Sequence, residues 1–201
     1  PIERLRRLGV LGPGLIAVHA VHLNDDEIQL LAEHGCSIAH CPSSNLKLAS
    51  GIAPLRQLVE RGVNVGLGTD GAASNNRLDL FQEMRLAALL AKQRSGRADA
   101  VDAHHVLHMA TLGGARALGL DGEIGSITVG KAADLCAVDL ADIALVPCYD
   151  PVSHLTYAAG REHVSDVWVA GRQRVEGGQL IENNETGLIR LALLWQNKIR
   201  R

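Results

Sequence analysis

Aromatic residues are almost missing from this sequence: two Trp, two Tyr and one Phe in 201 residues. So few rings cannot build the stacking platforms on which single-stranded nucleic acids are held. An excess of one charge is missing too. The 20 Lys and Arg are offset by 22 Asp and Glu, a formal net charge of −2, and no basic block stands out. That argues against a nucleic-acid binder, which needs a basic face. No apolar run approaches the ~20 residues that span a bilayer, so no membrane partner is expected. Cys36, Cys41, Cys136 and Cys148 are too few for a disulfide scaffold, and no secretory leader is expected. A reducing, cytoplasmic setting is the expectation. The chain also opens on Pro1 rather than methionine.

What is present is a rhythm of short apolar runs and helical periods. Ile2, Leu5 and Leu8 recur at helical spacing, and Gly9 stops them. A β-prone run follows over 15–19. Asn24 then caps a helix with Ile28, Leu30, Leu31 and Ala32 on its apolar side and Gly35 behind it. Ser37–His40 is a second strand, ended by Pro42, and a polar loop runs through Asn45. A helix over 54–61 and a strand over 63–67 lead into Gly68-Thr69-Asp70-Gly71. Asn76 is expected to cap a long helix with Leu78, Phe81, Leu86, Leu89 and Leu90 on its apolar side. Asp102 is expected to cap another, running to about Leu118. Strand and helix alternating with short connections predict a parallel sheet with right-handed crossovers. From Gly125 the composition changes. Strands at Leu135–Val138 and Val164–Val169, and a turn at Ala170-Gly171 into Arg174-Val175-Glu176, predict a small β unit. Leu188, Leu191, Leu194, Trp195 and Ile199 predict a final helix over 186–199, packed on the body.

His19, His40 and Asp70 fall at the C-terminal ends of expected strands, the face that carries chemistry in α/β barrels. Strand alternation puts Leu15, Ala17 and His19 on one face and Ile16 and Val18 on the other. The bulkier pair suits the helix-covered side, which aims His19 inward and His22 away. In the third strand Asn64, Gly66, Gly68 and Asp70 share a face, where small residues would leave room for an ion or substrate. Two readings of Asp70 stay open here. It forms a turn by bonding its own backbone, or it serves as a metal ligand or general base. The run from His34 to Cys41 looks like a zinc cluster at first sight. Cys36 and Cys41, however, are too far apart along the chain, and no second pair matches them. His104 and His108, four apart on a helix, have no Glu partner and read as a solvated face.

Three longer runs stand in order. They are Ala17-Val18-His19-Ala20-Val21-His22-Leu23, then His40-Cys41-Pro42-Ser43-Ser44-Asn45-Leu46-Lys47-Leu48, then Gly68-Thr69-Asp70-Gly71-Ala72-Ala73-Ser74-Asn75-Asn76. Together they resemble the C-terminal half of the metal-dependent amidohydrolases, in the branch of the methylthioadenosine/S-adenosylhomocysteine deaminases. Gly125-Ser126-Ile127, Gly130-Lys131-Ala132-Ala133-Asp134-Leu135 and Val169-Ala170-Gly171-Arg172 resemble the return into that superfamily's small β-sandwich. The resemblance implies an α/β fold. Residues 1–122 would be the C-terminal part of a (β/α)8 TIM-type barrel, about three βα units holding strands 6–8. A β-sandwich segment would follow over 123–182 and a C-terminal helix over 183–201.

The same resemblance implies one divalent metal, zinc first, at the C-terminal ends of the strands. Asp70 would bind that metal and, as a catalytic base, take a proton from the attacking water. His19 would be the catalytic histidine that contacts this water and the developing tetrahedral centre, and Ser74 would bind the purine. The implied reaction is hydrolytic deamination of methylthioadenosine or S-adenosylhomocysteine to the inosine derivative and ammonia. A small nucleoside is thus an implied partner, and a homodimer another. The family also carries a His-x-His pair after the first strand, and a His with a Glu three residues on after the fifth. Neither is in this sequence. A catalytic zinc takes about three protein ligands, and a whole barrel takes about 250 residues. The missing N-terminal half of the same protein is therefore an expected partner, and the chain alone is expected to be inactive. Other amidohydrolase chemistries (guanine or cytosine deamination, triazine hydrolysis) and a non-catalytic truncated fragment are the alternatives.

Overall fold

The computed structural model describes residues 1–182 and 185–200. A short helix, α1 (Ile2–Arg7), leads to the parallel sheet β1 (Ile16–Val18), β2 (Ser37–His40) and β3 (Asn64–Leu67), ordered β1-β2-β3. Its register aligns Ala17 with Ile38 and Ile38 with Val65. The crossovers carry α2 (Asp25–Glu33) after β1, and α3 (Pro42–Lys47) and α4 (Leu55–Glu60) after β2. Asn24 caps α2 through a reciprocal pair: its Oδ1 accepts the Glu27 N–H at 2.9 Å, and the Glu27 carboxylate accepts the Asn24 N–H at 3.2 Å. Three acidic residues in that first turn suit the positive end of the helix dipole.

Ile28 and Leu31 of α2, Ile38 of β2, Leu55 and Leu58 of α4 and Val65 of β3 form one buried core. Met84 and Ala87 join it from the longest helix, α5 (Leu80–Ser95). Each of the larger of these side chains contributes about 1.5–3 kcal/mol on burial, so these contacts set where the strand ends lie.

The structure differs from the sequence expectations in several places. The cap of α5 is Asp79, whose Oδ1 accepts the N–H groups of Phe81 at 3.0 Å and Gln82 at 3.4 Å. Asn76 instead belongs to the preceding loop, donating to Ala72 O and accepting from Lys47 Nζ. α3 occupies what read as a polar loop. Pro42 opens it, where its fixed φ is preorganised and its missing N–H is not needed, and its polar Ser44 and Asn45 are buried. The face assignment in β1 is reversed: Leu15 and Ala17 pack against the core, while Val18 is 53% exposed. Nor does Gly66 leave room for a ligand. A Cβ there would lie 2.9 Å from Gly114 Cα, so its small size lets a helix approach instead. That helical run is α6 (Ala103–His108), capped by Asp102 as expected, then a π turn (Met109–Gly113) and α7 (Gly114–Ala117).

The remainder is an antiparallel sheet ordered β4 (Leu135–Val138), β5 (Val164–Val169), β6 (Arg172–Glu176) and β7 (Gln179–Leu180). Neither β7 nor α8 (Pro151–Tyr157), which precedes β5, was legible as an apolar period. The last helix, α9 (Glu185–Ile199), forms but does not pack on the body: none of its residues is buried, and Trp195 is 55% exposed. The expected boundary at 182/183 touches residues 183 and 184, which with 201 lie outside the described residues. Among the described residues no helix is long and apolar enough to cross a membrane.

Candidate active site

β3 delivers Asp70 three residues beyond its last strand residue, with φ +61. Aspartate tolerates this left-handed conformation better than most residues, and it turns the carboxylate back over the strand ends. The Oδ2 atom accepts the Ser44 hydroxyl at 2.7 Å and the Ser74 hydroxyl at 2.9 Å. The Oδ1 atom accepts the Gly71 N–H at 2.7 Å. These donors, Ser44 foremost, stabilise the charged form and hold the carboxyl at about 2, with His19 adding to the effect. The turn reading of Asp70 is met by Oδ1, which accepts the Gly71 N–H, while Oδ2 faces the two hydroxyls.

β1 delivers His19 from the neighbouring crossover. His19 and Ala20 have φ +72 and +50, so the chain leaves the strand by a left-handed bend. Alternation therefore ends at Val18 and does not set the direction of His19. The bend brings His19 Nε2 to 3.8 Å from Asp70 Oδ2, too long for a direct hydrogen bond. Its Nδ1 is buried without a partner. Ser74 joins the same cluster through its bond to Asp70, so all three predicted site residues converge. His22 lies elsewhere, its ring close to Gly51.

A carboxylate oxygen and an imidazole nitrogen at this separation are donors of the kind zinc takes. They fit part of such a site. Among the described residues no three His, Cys, Asp or Glu stand together as a ligand set. Cys41 adds no thiolate, since burial foremost, with the Asp70 and Glu83 charges, pushes its thiol up to about 11.

His40, at the end of β2, is buried, and its Nδ1 has no partner. Burial, helped by the charge on His19, pushes its ring down to about 4. The folded state therefore keeps His40 neutral while the unfolded chain protonates it near 6.5. Stability from this group is complete above 6.5 and is lost as pH falls toward 4, by about 1.4 kcal/mol per unit. Urea unfolding of the metal-free protein between pH 4 and 7 should show this slope, and His40→Gln should flatten it. An unchanged slope in the variant would remove His40 as its source.

Sequence reasoning passed over Ser44 and Glu83, each fully buried. The available signal was a charged residue beside Met84, within the helical stripe of Ala87, Ala88 and Ala91 that the core absorbs.

The Amidohydrolase family profile matches residues 1–174, and the chain belongs to that family. A 5-methylthioadenosine/S-adenosylhomocysteine deaminase of Teredinibacter turnerae is 46% identical over 199 residues, 99% of this chain and 45% of that protein. The crystal structure of an adenosine deaminase from Xanthomonas campestris, with bound zinc, superimposes with a TM-score of 0.98 at 50% identity. The match covers 100% of this chain and 46% of that one. An atrazine chlorohydrolase from Arthrobacter aurescens, complexed with zinc, gives a TM-score of 0.90 at 30% identity, over 96% of this chain and 43% of that one. The chain thus spans less than half the length of these relatives.

Proposed function

We propose that the complete polypeptide hydrolytically deaminates adenosine derivatives, methylthioadenosine and S-adenosylhomocysteine among them, to inosine derivatives and ammonia. This chain would supply strands 6–8 of its barrel over 1–122, a β-sandwich segment over 123–182 and the closing helix. The carrying observation is the Asp70 carboxylate, kept ionised by three donors beside His19 at the strand ends. Asp70 would be this chain's ligand to one divalent metal, zinc by the relatives. When bound, that metal lowers the pKa of water enough to make a nucleophile near neutral pH. Asp70 takes one proton as water adds to the ring carbon bearing the amino group, while a donor in the rest of the polypeptide protonates the adjoining ring nitrogen. The carbon–nitrogen bond then breaks, the proton on Asp70 leaves with ammonia, and the added hydroxyl returns its proton to that donor as the carbonyl forms. His19 donates toward the charge that develops on the attacked ring. Ser74 gives its hydrogen to Asp70 and keeps its lone pairs for a purine N–H.

The identity to the adenosine deaminase supports this reading over triazine hydrolysis, which the more distant chlorohydrolase represents. Four cysteines without a disulfide suit the cytosol proposed for it. The homodimer implied by the family resemblance stays within the proposal.

The test is a deaminase assay on the complete polypeptide. Methylthioadenosine should be converted, with activity lost to a chelator and restored by zinc, while this chain alone should be silent. Turnover of guanine, cytosine or a chlorotriazine with none of any adenine nucleoside would overturn the substrate class. A monomeric mass by sedimentation in the same sample would remove the dimer.

A further inference from the structure

We infer that Glu83 is a positioning residue of this site: its buried carboxylate joins the two chain segments whose serine hydroxyls meet on Asp70. The inference rests on the role proposed for Asp70. Glu83 lies on α5 and is fully buried among the apolar residues of that helix face. A carboxylate in such a place costs several kcal/mol unless its oxygens are satisfied. Here amide N–H groups satisfy them rather than a cation. The Ser43 backbone N–H donates to Oε2 at 2.9 Å, and Asn75 Nδ2 donates to Oε1 at 2.7 Å.

Each donor stands one residue from a hydroxyl that holds Asp70. Ser43 precedes Ser44 at the start of α3, and Asn75 follows Ser74 in the loop after β3. The segments are distant in sequence, yet they deliver both hydroxyls to the same Oδ2 atom. Asn75 is itself buried, and its Oδ1 fixes the loop by accepting the N–H groups of Arg77 and Leu78. On the solvent side Lys47 Nζ donates to Ala73 O and Asn76 Oδ1, tying the same two segments a second time. Glu83 is the internal half of that tie. An apolar side chain would fill its place at less cost but could hold neither segment.

Glu83→Gln keeps the size but replaces one acceptor oxygen with an N–H donor, which must face a donor on one side. One segment is then released, and the hydroxyl it carries loses its aim. In the complete enzyme acting on methylthioadenosine, kcat should fall roughly 10- to 100-fold, more than KM rises. Asn75→Ala, which releases only the loop segment, should give the same pattern more weakly and serves if Glu83→Gln fails to fold.

The decisive readout is coupling. With Ser44→Ala and Ser74→Ala already in place, Glu83→Gln should cost no more than about threefold, because the groups it positions are gone. Losses that multiply in full, or an unchanged kcat in both the Glu83 and Asn75 variants, would overturn the inference. Asp70→Asn separates the two levels. If it leaves turnover intact, the reading of the whole site fails. If it abolishes turnover while Glu83→Gln does not lower it, only the positioning role fails.

Discussion

Asp70→Asn in the complete polypeptide should lower kcat/KM for methylthioadenosine by at least about 10³-fold, with the fold preserved. Asparagine matches aspartate in size, and its carbonyl oxygen can still accept the Gly71 N–H. Its amide nitrogen then faces the Ser44 and Ser74 hydroxyls, whose oxygens accept as well as donate. The loop therefore has partners in either case, and unfolding by heat or urea should shift little. What disappears is charge and proton affinity. An amide neither takes a proton from water at neutral pH nor offers a divalent cation an anionic oxygen. Zinc content per polypeptide should fall together with turnover, which separates loss of the ligand from general damage. Turnover within tenfold of the parent, at full zinc loading, would mean that another group is the base.

The fold and the site were unequally legible in the sequence. β2, β3 and the capped α2 follow from apolar periods and from Asn24 as the cap, which are local signals that survive in the structure. α3 was hidden because its buried residues, Ser44 and Asn45, are polar, and an apolar period cannot report them. Asn76 lost the cap of α5 to Asp79 because the intervening loop has its own hydrogen bonds through Asn75. The face of β1 was misread since side-chain bulk does not say which side the helices cover. At the site, spacing alone left Asp70 and His19 undecided, and the ordered motifs of the resemblance selected them. Their nearness depends on positive φ at three residues, His19, Ala20 and Asp70, a feature that no hydrophobic pattern encodes. The two hydroxyls on Asp70 belong to distant segments, and only the packed chain joins them.

The adjacent glycines 113 and 114 should respond to the same substitution with opposite signs. Both have helical backbone, with φ near −62 and −63. Judged by propensity, alanine at either position should stabilise the helix by about 0.8–1 kcal/mol. Space decides otherwise at the first. A Cβ on Gly113 would collide with the carbonyl oxygen of Val65 and lie 3.1 Å from that of His108. Both obstacles are backbone, one of them in β3, and neither can rotate away. Overpacking of this kind costs about 1–3 kcal/mol or more, so the propensity gain is outweighed and Gly113→Ala should be destabilising. At Gly114 the nearest atom to an added Cβ is Met109 O at 3.7 Å, an ordinary contact, and Gly114→Ala should be neutral or stabilising. Gly66→Ala approaches the same contact from the strand and should resemble Gly113→Ala, because its Cβ would lie 2.9 Å from Gly114 Cα. Urea unfolding of the three variants tests the order. Equal midpoints for Gly113→Ala and Gly114→Ala would show that the helix yields at this crossing. The effect should also reach the site, since β3 carries Asp70 at its end. A strand pushed away from the π turn moves the carboxylate relative to His19, so in the complete polypeptide Gly113→Ala should lose turnover beyond its loss of stability, while Gly114→Ala should keep both.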